Sequence, residues 1–547
     1  MKRILIISIT LTISLSIFSQ KKDTENRSKY YDILQSLDIY NAIWRELDIN
    51  YVDSLDHERL NKIAIDRMLQ ELDPYTIYIP AKEEEDLKAM TSGIYGGIGA
   101  IIQKHNDYVV VAEPRLGQPA QKNGILTGDK IIAINNESMK GKSNSYVSNK
   151  LRGIPGTEIT LTLKRYGTKK NITKKFLREA IHINSIDYYE ILQDSIGYIS
   201  LQDFTGQSYT DCKAIVSSFK ASGIKQLIID LRNNGGGLVS EAVNIASMFV
   251  PKGTEIVYTK GKNSNNIRHY KTPFAPIMLN IPLAIIINNN SASASEIIAG
   301  AFQDLDRAII IGQRSFGKGV VQNIRELPYG GFAKITTAKY YLPSGRCIQS
   351  SDYENMLNGN RTKTIPDSLT NAFKTLKGRE VRDKSAITPD FDIEDEKGNY
   401  ISYYLYSDNI IFDFATKYFF KKDSIASPDI FKLTDQEYQE FIEFVKESNF
   451  SYQLESEKIL TQLKKMVALE ECQEQTDSLL QQLSPLLKPN IERDLKKFRI
   501  DIQLLLEGEI VQRYFYHQGY AQFMLRYDKW VEKAVEVLKQ NIKTKKV

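Results

Sequence analysis

Cysteine and histidine are scarce in this chain, which has three cysteines and five histidines in 547 residues. Three cysteines are too few for a fold that depends on a disulfide scaffold, and the odd number leaves at least one of them unpaired. The cysteines and histidines form no cluster along the sequence, so no zinc site is predicted. Beyond the amino terminus, no apolar run reaches the length of a membrane span, which needs about 20 residues.

Charge is nearly balanced, with 72 Lys and Arg against 67 Asp and Glu and a formal net charge of +5. Over a chain of this length, that excess is not the basic footprint of a nucleic-acid-binding protein. Hydrophobic residues make up 42% and charged residues 25%, the composition of a soluble globular protein. A polytopic membrane protein, a collagen-like fibre and a wholly disordered chain are therefore excluded, and the length suits about three or four domains.

The amino terminus carries the longest apolar run, residues 4–18, after the basic start Met-Lys-Arg and before a polar stretch. This pattern is typical of a secretory signal peptide and predicts cleavage near Ser19, with residues 1–19 as the signal. An uncleaved membrane anchor is the alternative, and the absence of a following cysteine gives a lipoprotein anchor no support. We expect a protein secreted across the inner membrane, in a periplasmic or other extracytoplasmic location.

Hydrophobic periodicity divides the rest of the chain into four regions. Residues 28–90 and 396–547 have helical spacing, residues 91–170 have short strands and glycine turns, and residues 178–395 alternate strands with helices. We therefore predict a multidomain α+β or α/β protein. It has an α/β core, an inserted β-rich module, a helical N-terminal cap and a helical C-terminal region.

The first chemistry-bearing segment of the core is residues 288–300, where an apolar strand leads into a helix that begins with Ser and Ala. A serine at a helix N-terminus lies near unpaired N–H groups and the positive end of the helix dipole, which stabilise a developing anion. On this chemistry alone Ser291, Ser293 and Ser295 are all candidate nucleophiles. A plain helix cap is the alternative interpretation.

Two further segments add a basic side chain and a glycine loop. Residues 312–322 place Lys318 between two glycines ahead of a strand, and a regular strand puts Gln322 on the same face. A lysine kept neutral by desolvation can act as a general base for a serine. Residues 230–238 run from an apolar strand into three glycines, whose N–H groups are suited to binding an oxyanion. A surface lysine and an ordinary glycine loop are the alternatives.

Together, these segments resemble the carboxyl-terminal processing peptidases, or tail-specific proteases, which are serine peptidases with a Ser/Lys dyad. The family motif Ser-Ala-Ser-Ala-Ser-Glu-Ile lies at 291–297, and Phe-Gly-Lys-Gly lies at 316–319 with its following Gln322. A later strand signature of the family lies at 336–346. Ile-Thr-Pro-Asp at 387–390 resembles the end of the family's catalytic core.

The resemblance implies a role for each of these residues. Ser293 would be the nucleophile, Lys318 the general base, and Gln322 the residue that orients Lys318. The oxyanion hole would combine the backbone N–H of Ala294 with one from the glycine run, that of Gly236. The resemblance also implies a crotonase-like α/β core and a reaction that needs no metal and no organic cofactor.

The β-rich region resembles a PDZ domain, beginning with the glycine-rich motif Gly-Gly-Ile-Gly-Ala at 96–100. A glycine loop of this kind binds a C-terminal carboxylate through its N–H groups while the peptide adds as a strand to the sheet edge. We predict that Gly97, Ile98 and Gly99 line the carboxylate-binding loop and that apolar C-terminal residues are preferred. A structural β-turn is the alternative, and repositioning of Lys318 by a bound tail is a further hypothesis.

The combined prediction is a secreted serine endopeptidase that recognises protein C-terminal tails and cleaves peptide bonds through an acyl-enzyme on Ser293. Its partners would be proteins or peptides with exposed C-termini. We expect no binding to nucleic acid, and contact with the membrane only if the signal segment is not cleaved. The sequence does not decide whether an adaptor or activator protein is needed or whether the protein forms a homo-oligomer. It also leaves the role of the helical C-terminal region undecided.

Two other functions fit parts of the sequence. One is a non-catalytic PDZ peptide-binding protein that retains the protease fold. The other is a penicillin-recognising enzyme, because Ser315-x-x-Lys318 and the sequence Ser-Asp-Asn at 407–409 match its motifs. Gly317 is poorly suited to the helix that the first motif requires, and no Lys-Thr-Gly strand follows residue 409.

Overall fold

The computed structural model describes residues 30–193, 195–262, 267–350, 365, 367–394 and 398–544. The predicted signal peptide, residues 1–19, lies outside these residues. The chain divides into two compact units, Met1–Tyr78 and Ile79–Val547. In the described ranges, none of the helices combines the length and the apolar character needed to span a bilayer.

The first unit contains helices α1 (residues 30–50) and α2 (His57–Gln70). The Asp56 side chain caps α2 by accepting a hydrogen bond from the Arg59 N–H, as expected of an aspartate at this position. The two helices contact each other where the His57 ring stacks on Trp44, with ring centroids 5.7 Å apart. The helical structure that the hydrophobic spacing predicted for these residues is thus confirmed.

A β-rich module follows, with its own hydrophobic core that includes Ile98, Val109 and Leu161. Its sheet has the strand order β3-β4-β5-β7-β8 with β6 beside β5, so that β3 forms one edge. Short β2 pairs with β9 where the chain enters and leaves the module. Along residues 77–182, the elements before the module are β1 (Ile77–Ile79) and α3 (Glu84–Ser92). Those of the module are β2 (Ile94–Gly97), β3 (Ala100–His105), β4 (Tyr108–Pro114), α4 (Pro119–Lys122), β5 (Lys130–Ile134), β6 (Glu137–Ser138), α5 (Asn144–Leu151), β7 (Glu158–Lys164), β8 (Ile172–Leu177) and β9 (Glu179–His182).

The predicted α/β core is confirmed, and it is built from two large sheets and a separate two-stranded ribbon. Its elements are β10 (Ile186–Leu192), β11 (Ile196–Leu201), α6 (Ser208–Ala221), β12 (Gln226–Asp230), α7 (Val239–Ala246), β13 (Glu255–Gly261), β14 (Ile267–Lys271), β15 (Leu283–Ile287), α8 (Ala294–Asp304), β16 (Ile309–Gly312), β17 (Val320–Glu326), β18 (Phe332–Tyr341), β19 (Ala372–Lys374), β20 (Glu380–Arg382) and β21 (Phe391–Asp392).

The larger sheet has the order β10-β11-β12-β15-β16-β21 and is parallel from β11 onward. Every residue of β11, β12 and β15 is buried, as expected of a parallel sheet covered on both faces. Side chains of α6, α7 and α8 pack on one face. The second sheet is antiparallel, and in it β18 pairs with both β13 and β17, while β13 also pairs with β14.

The C-terminal region is helical, as predicted, and has a separate core that includes Phe414, Phe441 and Leu506. Its last helix packs on the face of the large sheet opposite α8, where Val531 and Leu538 join the cluster around Ile286. This helix therefore completes the layers of the α/β core. The helices are α9 (Tyr400–Ser407), α10 (Ile410–Lys421), α11 (Asp435–Glu447), α12 (Glu455–Leu469), α13 (Gln473–Leu486), α14 (Ile491–Lys497), α15 (Arg499–Leu525) and α16 (Lys529–Thr544).

The helical region also binds the β-rich module directly. The buried Glu113 carboxylate of β4 accepts hydrogen bonds from the Gln512 side chain (2.8 Å) and the His517 N–H (2.9 Å) of α15. Nε2 of His105 lies 2.9 Å from the Asp413 carboxylate of α10. The module is thus held by polar contacts from two helices.

Candidate active site

The turn between β15 and α8 places Ser293 at the N-terminus of a buried helix. Ser293 has φ 56° and ψ −111°, a strained backbone conformation for a residue with a Cβ. The turn is held by Ser291, whose hydroxyl donates to the Leu231 carbonyl (2.7 Å) and accepts from the Asn288 N–H (2.9 Å). A fixed strand, a polar turn and a helix start therefore hold Ser293 in this conformation.

The three candidate serines differ in their surroundings. Ser291 and Ser295 are fully buried, and the Ser295 hydroxyl donates to the Asn234 carbonyl at 2.9 Å. Ser293 is only partly buried and lines a cavity of about 740 Å³. Lys318 and Gln322 line the same cavity. Of the three candidate serines, Ser293 is the one that lines this cavity.

The loop that carries Lys318 packs tightly against its neighbours, and its two glycines allow this. A Cβ at Gly317 would lie 1.9 Å from the Ser350 Oγ, and one at Gly319 would lie 2.6 Å from the Gln349 nitrogen. The Gly319 N–H donates to the Gln349 side chain at 2.7 Å. These contacts fix the backbone on both sides of Lys318.

Gln322 lies near the start of β17, and its Nε2 donates to the Thr336 hydroxyl of β18 at 3.1 Å. The pairing of these two strands changes register between Val321 and Gln322. Tyr340, also on β18, donates its hydroxyl to the Lys318 carbonyl. The antiparallel sheet therefore contributes one wall of the cavity and contacts the lysine loop.

The glycine loop lies directly against Ser293. A Cβ at Gly236 would be 2.7 Å from the Ser293 Cβ and 2.9 Å from the Ala294 nitrogen, so only glycine fits. The loop is attached by Asn234, whose carbonyl accepts the Ala292 N–H at 3.0 Å. The Gly236 N–H, which the sequence resemblance assigned to the oxyanion hole, donates to the Asn234 Oδ1 at 2.9 Å.

Glu296 is a site residue to which the sequence interpretation gave no role. Its carboxylate is fully buried and accepts hydrogen bonds from the N–H groups of Ser293 (2.8 Å), Gly317 (2.7 Å) and Lys318 (3.0 Å) and from the Ser315 hydroxyl (2.6 Å). Burial raises the pKa of Glu296 to about 7, and the four hydrogen bonds oppose this increase. The available signal was a glutamate three residues after Ser293, directly before the apolar run at 297–302.

The three residues predicted to line the tail-binding loop lie between β2 and β3. Gly97 ends β2 and pairs with Glu179 of β9, while Gly99 adopts a positive φ of 67° just before β3. The Ile98 side chain is 3% exposed and belongs to the module's core, so it contributes its backbone alone to this loop. The edge strand β3 has α5 beside it.

The structure also shows where the two penicillin-recognising motifs lie and whether side chains are grouped to hold a metal ion. The sequence Ser-Asp-Asn at 407–409 lies at the junction of α9 and α10 and does not line the cavity. The Ser315 hydroxyl is buried and donates to Glu296. Within the described part of the chain, no group of three or more His, Cys, Asp or Glu side chains is arranged to hold a metal ion.

Comparison with protein families matches three parts of the chain. Residues 195–355 match peptidase family S41, and residues 96–175 match the PDZ domain. Residues 401–538 match a model described as the C-terminal helical domain of a probable PDZ-protease. The matched segments correspond to the α/β core, the β-rich module and the C-terminal helices, respectively.

Proteins similar to this chain are also named as proteases. A carboxy-terminal-processing protease of Bartonella bacilliformis is 36% identical over 345 residues, which cover 62% of this chain and 78% of the relative. A probable CtpA-like serine protease of Staphylococcus aureus is 35% identical over 346 residues, 63% of this chain and 68% of the relative. Among solved structures, the photosystem II D1 C-terminal processing protease is 26% identical and has a TM-score of 0.36, covering 64% of this chain and 86% of its own. By the family matches and the sequence identity to the Bartonella protease, the chain belongs to the carboxy-terminal-processing proteases of peptidase family S41, with a PDZ domain and a C-terminal helical domain.

Proposed function

We propose that this protease is a serine endopeptidase that cleaves peptide bonds through an acyl-enzyme on Ser293, with Lys318 as the general base. The observation that carries the proposal is the shared cavity of Ser293, Lys318 and Gln322, which neither Ser291 nor Ser295 lines. A hydroxyl that reaches the cavity can attack a bound peptide. The buried hydroxyls already donate their protons to backbone carbonyls.

The reaction follows from these positions. Neutral Lys318 accepts the proton of the Ser293 hydroxyl as its Oγ attacks the peptide carbonyl carbon, and the carbonyl oxygen becomes an oxyanion. The C–N bond then breaks as the lysine gives the proton to the leaving amine. A water molecule then attacks the acyl carbon as Lys318 takes its proton. The ester C–O bond breaks, Lys318 returns the proton to the Ser293 Oγ, and the acid is released. Gln322 orients the lysine from the wall of the cavity.

The Ala294 and Gly236 N–H groups form the oxyanion hole in this proposal. The positive end of α8 favours negative charge beside Ala294, which is the first residue of that helix. The Gly236 N–H must share or exchange its hydrogen bond with Asn234 when the oxyanion forms. The contact between the Gly236 backbone and Ser293 supports this assignment, because it brings the loop beside the developing charge.

Substrate recognition is assigned to the PDZ domain. We propose that an apolar C-terminal tail pairs with edge strand β3 while the N–H groups of the loop at Gly97, Ile98 and Gly99 bind its carboxylate. Ala100, Ile102 and Tyr146 are partly buried apolar residues on β3 and α5, and their exposed surface suits an apolar tail. Tail binding and cleavage are then separate steps on separate domains.

The location proposed is outside the cytoplasm, with residues 1–19 acting as the signal peptide. The support is the sequence of a short basic segment, an apolar run and a polar stretch. Fractionation of cells that produce the full chain, with amino-terminal sequencing of the mature protein, tests this. A mature protein that begins near residue 20 in an extracytoplasmic fraction is the expected result, and an intact chain retained in the membrane indicates the uncleaved anchor.

The catalytic proposal is tested by adding a folded reporter protein with an apolar C-terminal tail. We expect the wild type to degrade it and Ser293→Ala to bind the tail without cleaving it. Ser295→Ala is the matched control, and we expect it to retain cleavage. Tail binding without cleavage by the wild type would favour the non-catalytic peptide-binding alternative. Cleavage by Ser293→Ala would exclude Ser293 as the nucleophile.

A further inference from the structure

One oxygen atom connects the backbones of the two residues on which the proposed reaction depends. Oε2 of Glu296 accepts the Ser293 N–H at 2.8 Å and the Lys318 N–H at 3.0 Å, so these nitrogens lie no more than 5.8 Å apart. The other carboxylate oxygen accepts the Gly317 N–H at 2.7 Å and the Ser315 hydroxyl at 2.6 Å. Each carboxylate oxygen therefore accepts two hydrogen bonds.

Helix capping explains only one of these four hydrogen bonds. A glutamate at the third position of a helix commonly accepts the N–H of the capping residue, here Ser293. The other three donors belong to the lysine loop, which reaches α8 from a different part of the chain. Burying a carboxylate is costly unless hydrogen bonds compensate for the lost water, so these donors stabilise the loop in its place against the helix.

We propose that Glu296 is a positioning residue whose ionised carboxylate holds residues 315–318 against the N-terminus of α8 and thereby sets the distance between Ser293 and Lys318. This inference rests on the Ser/Lys reaction proposed above. Glu296 acts through the backbone of both residues and takes no part in proton transfer. Its effect is on the rate of the chemical step, because a displacement of about 1 Å between reacting groups can cost roughly 10²-fold in rate.

The arrangement suits the ionised form of the carboxylate. Oε2 accepts two N–H groups, which cannot accept in return, so a proton on that oxygen would displace the Ser293 or the Lys318 N–H. Burial raises the pKa of Glu296 to about 7, which puts its ionisation near neutral pH. Its four hydrogen-bond donors are three backbone N–H groups and one hydroxyl. The ionisable side chains on the segments around it are Asp230, Arg232, Arg314 and Lys318.

The first test is Glu296→Gln in the full-length protein. Its amide oxygen accepts hydrogen bonds, but its NH₂ group faces donors, so the loop loses part of its attachment. We expect kcat to fall about 10²-fold while KM and tail affinity change less than about threefold. On the acid side, the limiting slope of log kcat against pH should also be smaller by one than in the wild type, because the ionisation of Glu296 no longer contributes. Glu507→Gln is the control, since it removes a buried carboxylate of the C-terminal region that accepts the Leu433 N–H.

A second variant decides the question even if Glu296→Gln does not fold. The Ser315 hydroxyl bond lowers the pKa of Glu296, so Ser315→Ala should raise that pKa and move the acid limb of kcat to higher pH. The inference would be overturned if the acid limb of the kcat–pH profile did not shift in Ser315→Ala. It would also be overturned if Glu296→Gln had the same kcat and the same limiting slope as the wild type. Cleavage by the wild type and its loss in Ser293→Ala are measured alongside, so failure of the proposed function is recognised separately.

Discussion

The backbone of Gly236 lies so close to Ser293 that a Cβ added to the glycine would be 2.7 Å from the Ser293 Cβ. The same atom would be 2.8 Å from the Ala292 carbonyl oxygen, and Gly236 has a φ of 104° that disfavours any other residue. We therefore expect Gly236→Ala to displace the glycine loop and to lower kcat by about 10²- to 10³-fold, as loss of an oxyanion donor does.

The neighbouring glycine gives a matched control for this prediction. A Cβ at Gly235 meets no atom within 4 Å, so Gly235→Ala should retain most of the activity. Both variants are compared by kcat on the tailed reporter and by tail affinity. Equal kcat for Gly236→Ala and the wild type would contradict the assignment of this loop to the oxyanion hole.

Tail recognition should be separable from catalysis. Gly99 has a φ of 67°, and a Cβ there would lie 2.4 Å from the Gln118 Cβ, so Gly99→Ala should distort the loop before β3. We expect the affinity for a tail peptide to fall about tenfold or more, with kcat on a short peptide lacking the tail unchanged. Gly167→Ala has a similar φ of 71° with no atom near its Cβ, and it controls for backbone strain alone. Equal tail affinities in these two variants would exclude a role for the Gly99 loop in binding.

The attachment of the last helix should be important for stability. Arg232, two residues after β12, forms ion pairs with Asp230 and with Asp528 ahead of α16. Burial lowers the pKa of Arg232, but these two carboxylates outweigh it and raise the pKa above its usual value. Arg232→Ala leaves two largely buried carboxylates without a positively charged partner, and we expect the free energy of unfolding to fall by about 3–5 kcal/mol. Arg382→Ala breaks an exposed pair and should cost at most about 1 kcal/mol. Chemical denaturation measures both, and similar costs would contradict the prediction.

Glu296 should also make stability depend on pH. Its pKa is raised to about 7 in the folded protein from an ordinary value of 4.5, so the folded state binds more protons between these values. Unfolding free energy should therefore decrease as pH rises from 4.5 to 7, by about 3 kcal/mol in total at 1.36 kcal/mol for each pKa unit. Comparing wild-type and Glu296→Gln unfolding at several pH values measures this contribution. Identical pH dependences would contradict it.

Much of the core could be predicted because its strands are continuous apolar runs that end in glycines or polar turns. The strand β15, the start of α8 and the glycine loop at Gly236 were all visible in this way. Periodicity also predicted a helix at the carboxyl terminus, but not that Val531 and Leu538 pack on the large sheet. That contact joins distant parts of the chain, and no local pattern specifies it.

The site was predicted less completely than the fold. Sequence motifs indicated Ser293 and Lys318, but the hydrogen bond between the Gly236 N–H and Asn234 depends on how the loop closes on itself. The interactions of Glu296 depend on the packing of the lysine loop against α8. Helical spacing identifies such a glutamate as a capping residue only, since its three further donors come from another segment.

The most direct test of the central claim compares cleavage of a reporter bearing an apolar C-terminal tail by the wild type and by Lys318→Ala. Lys334→Ala removes another positive charge from the same cavity and serves as the control. The Ser/Lys reaction predicts that Lys318→Ala binds the tail normally and fails to cleave, while Lys334→Ala still cleaves. Cleavage by Lys318→Ala at the wild-type rate would contradict the assignment of Lys318 as the general base.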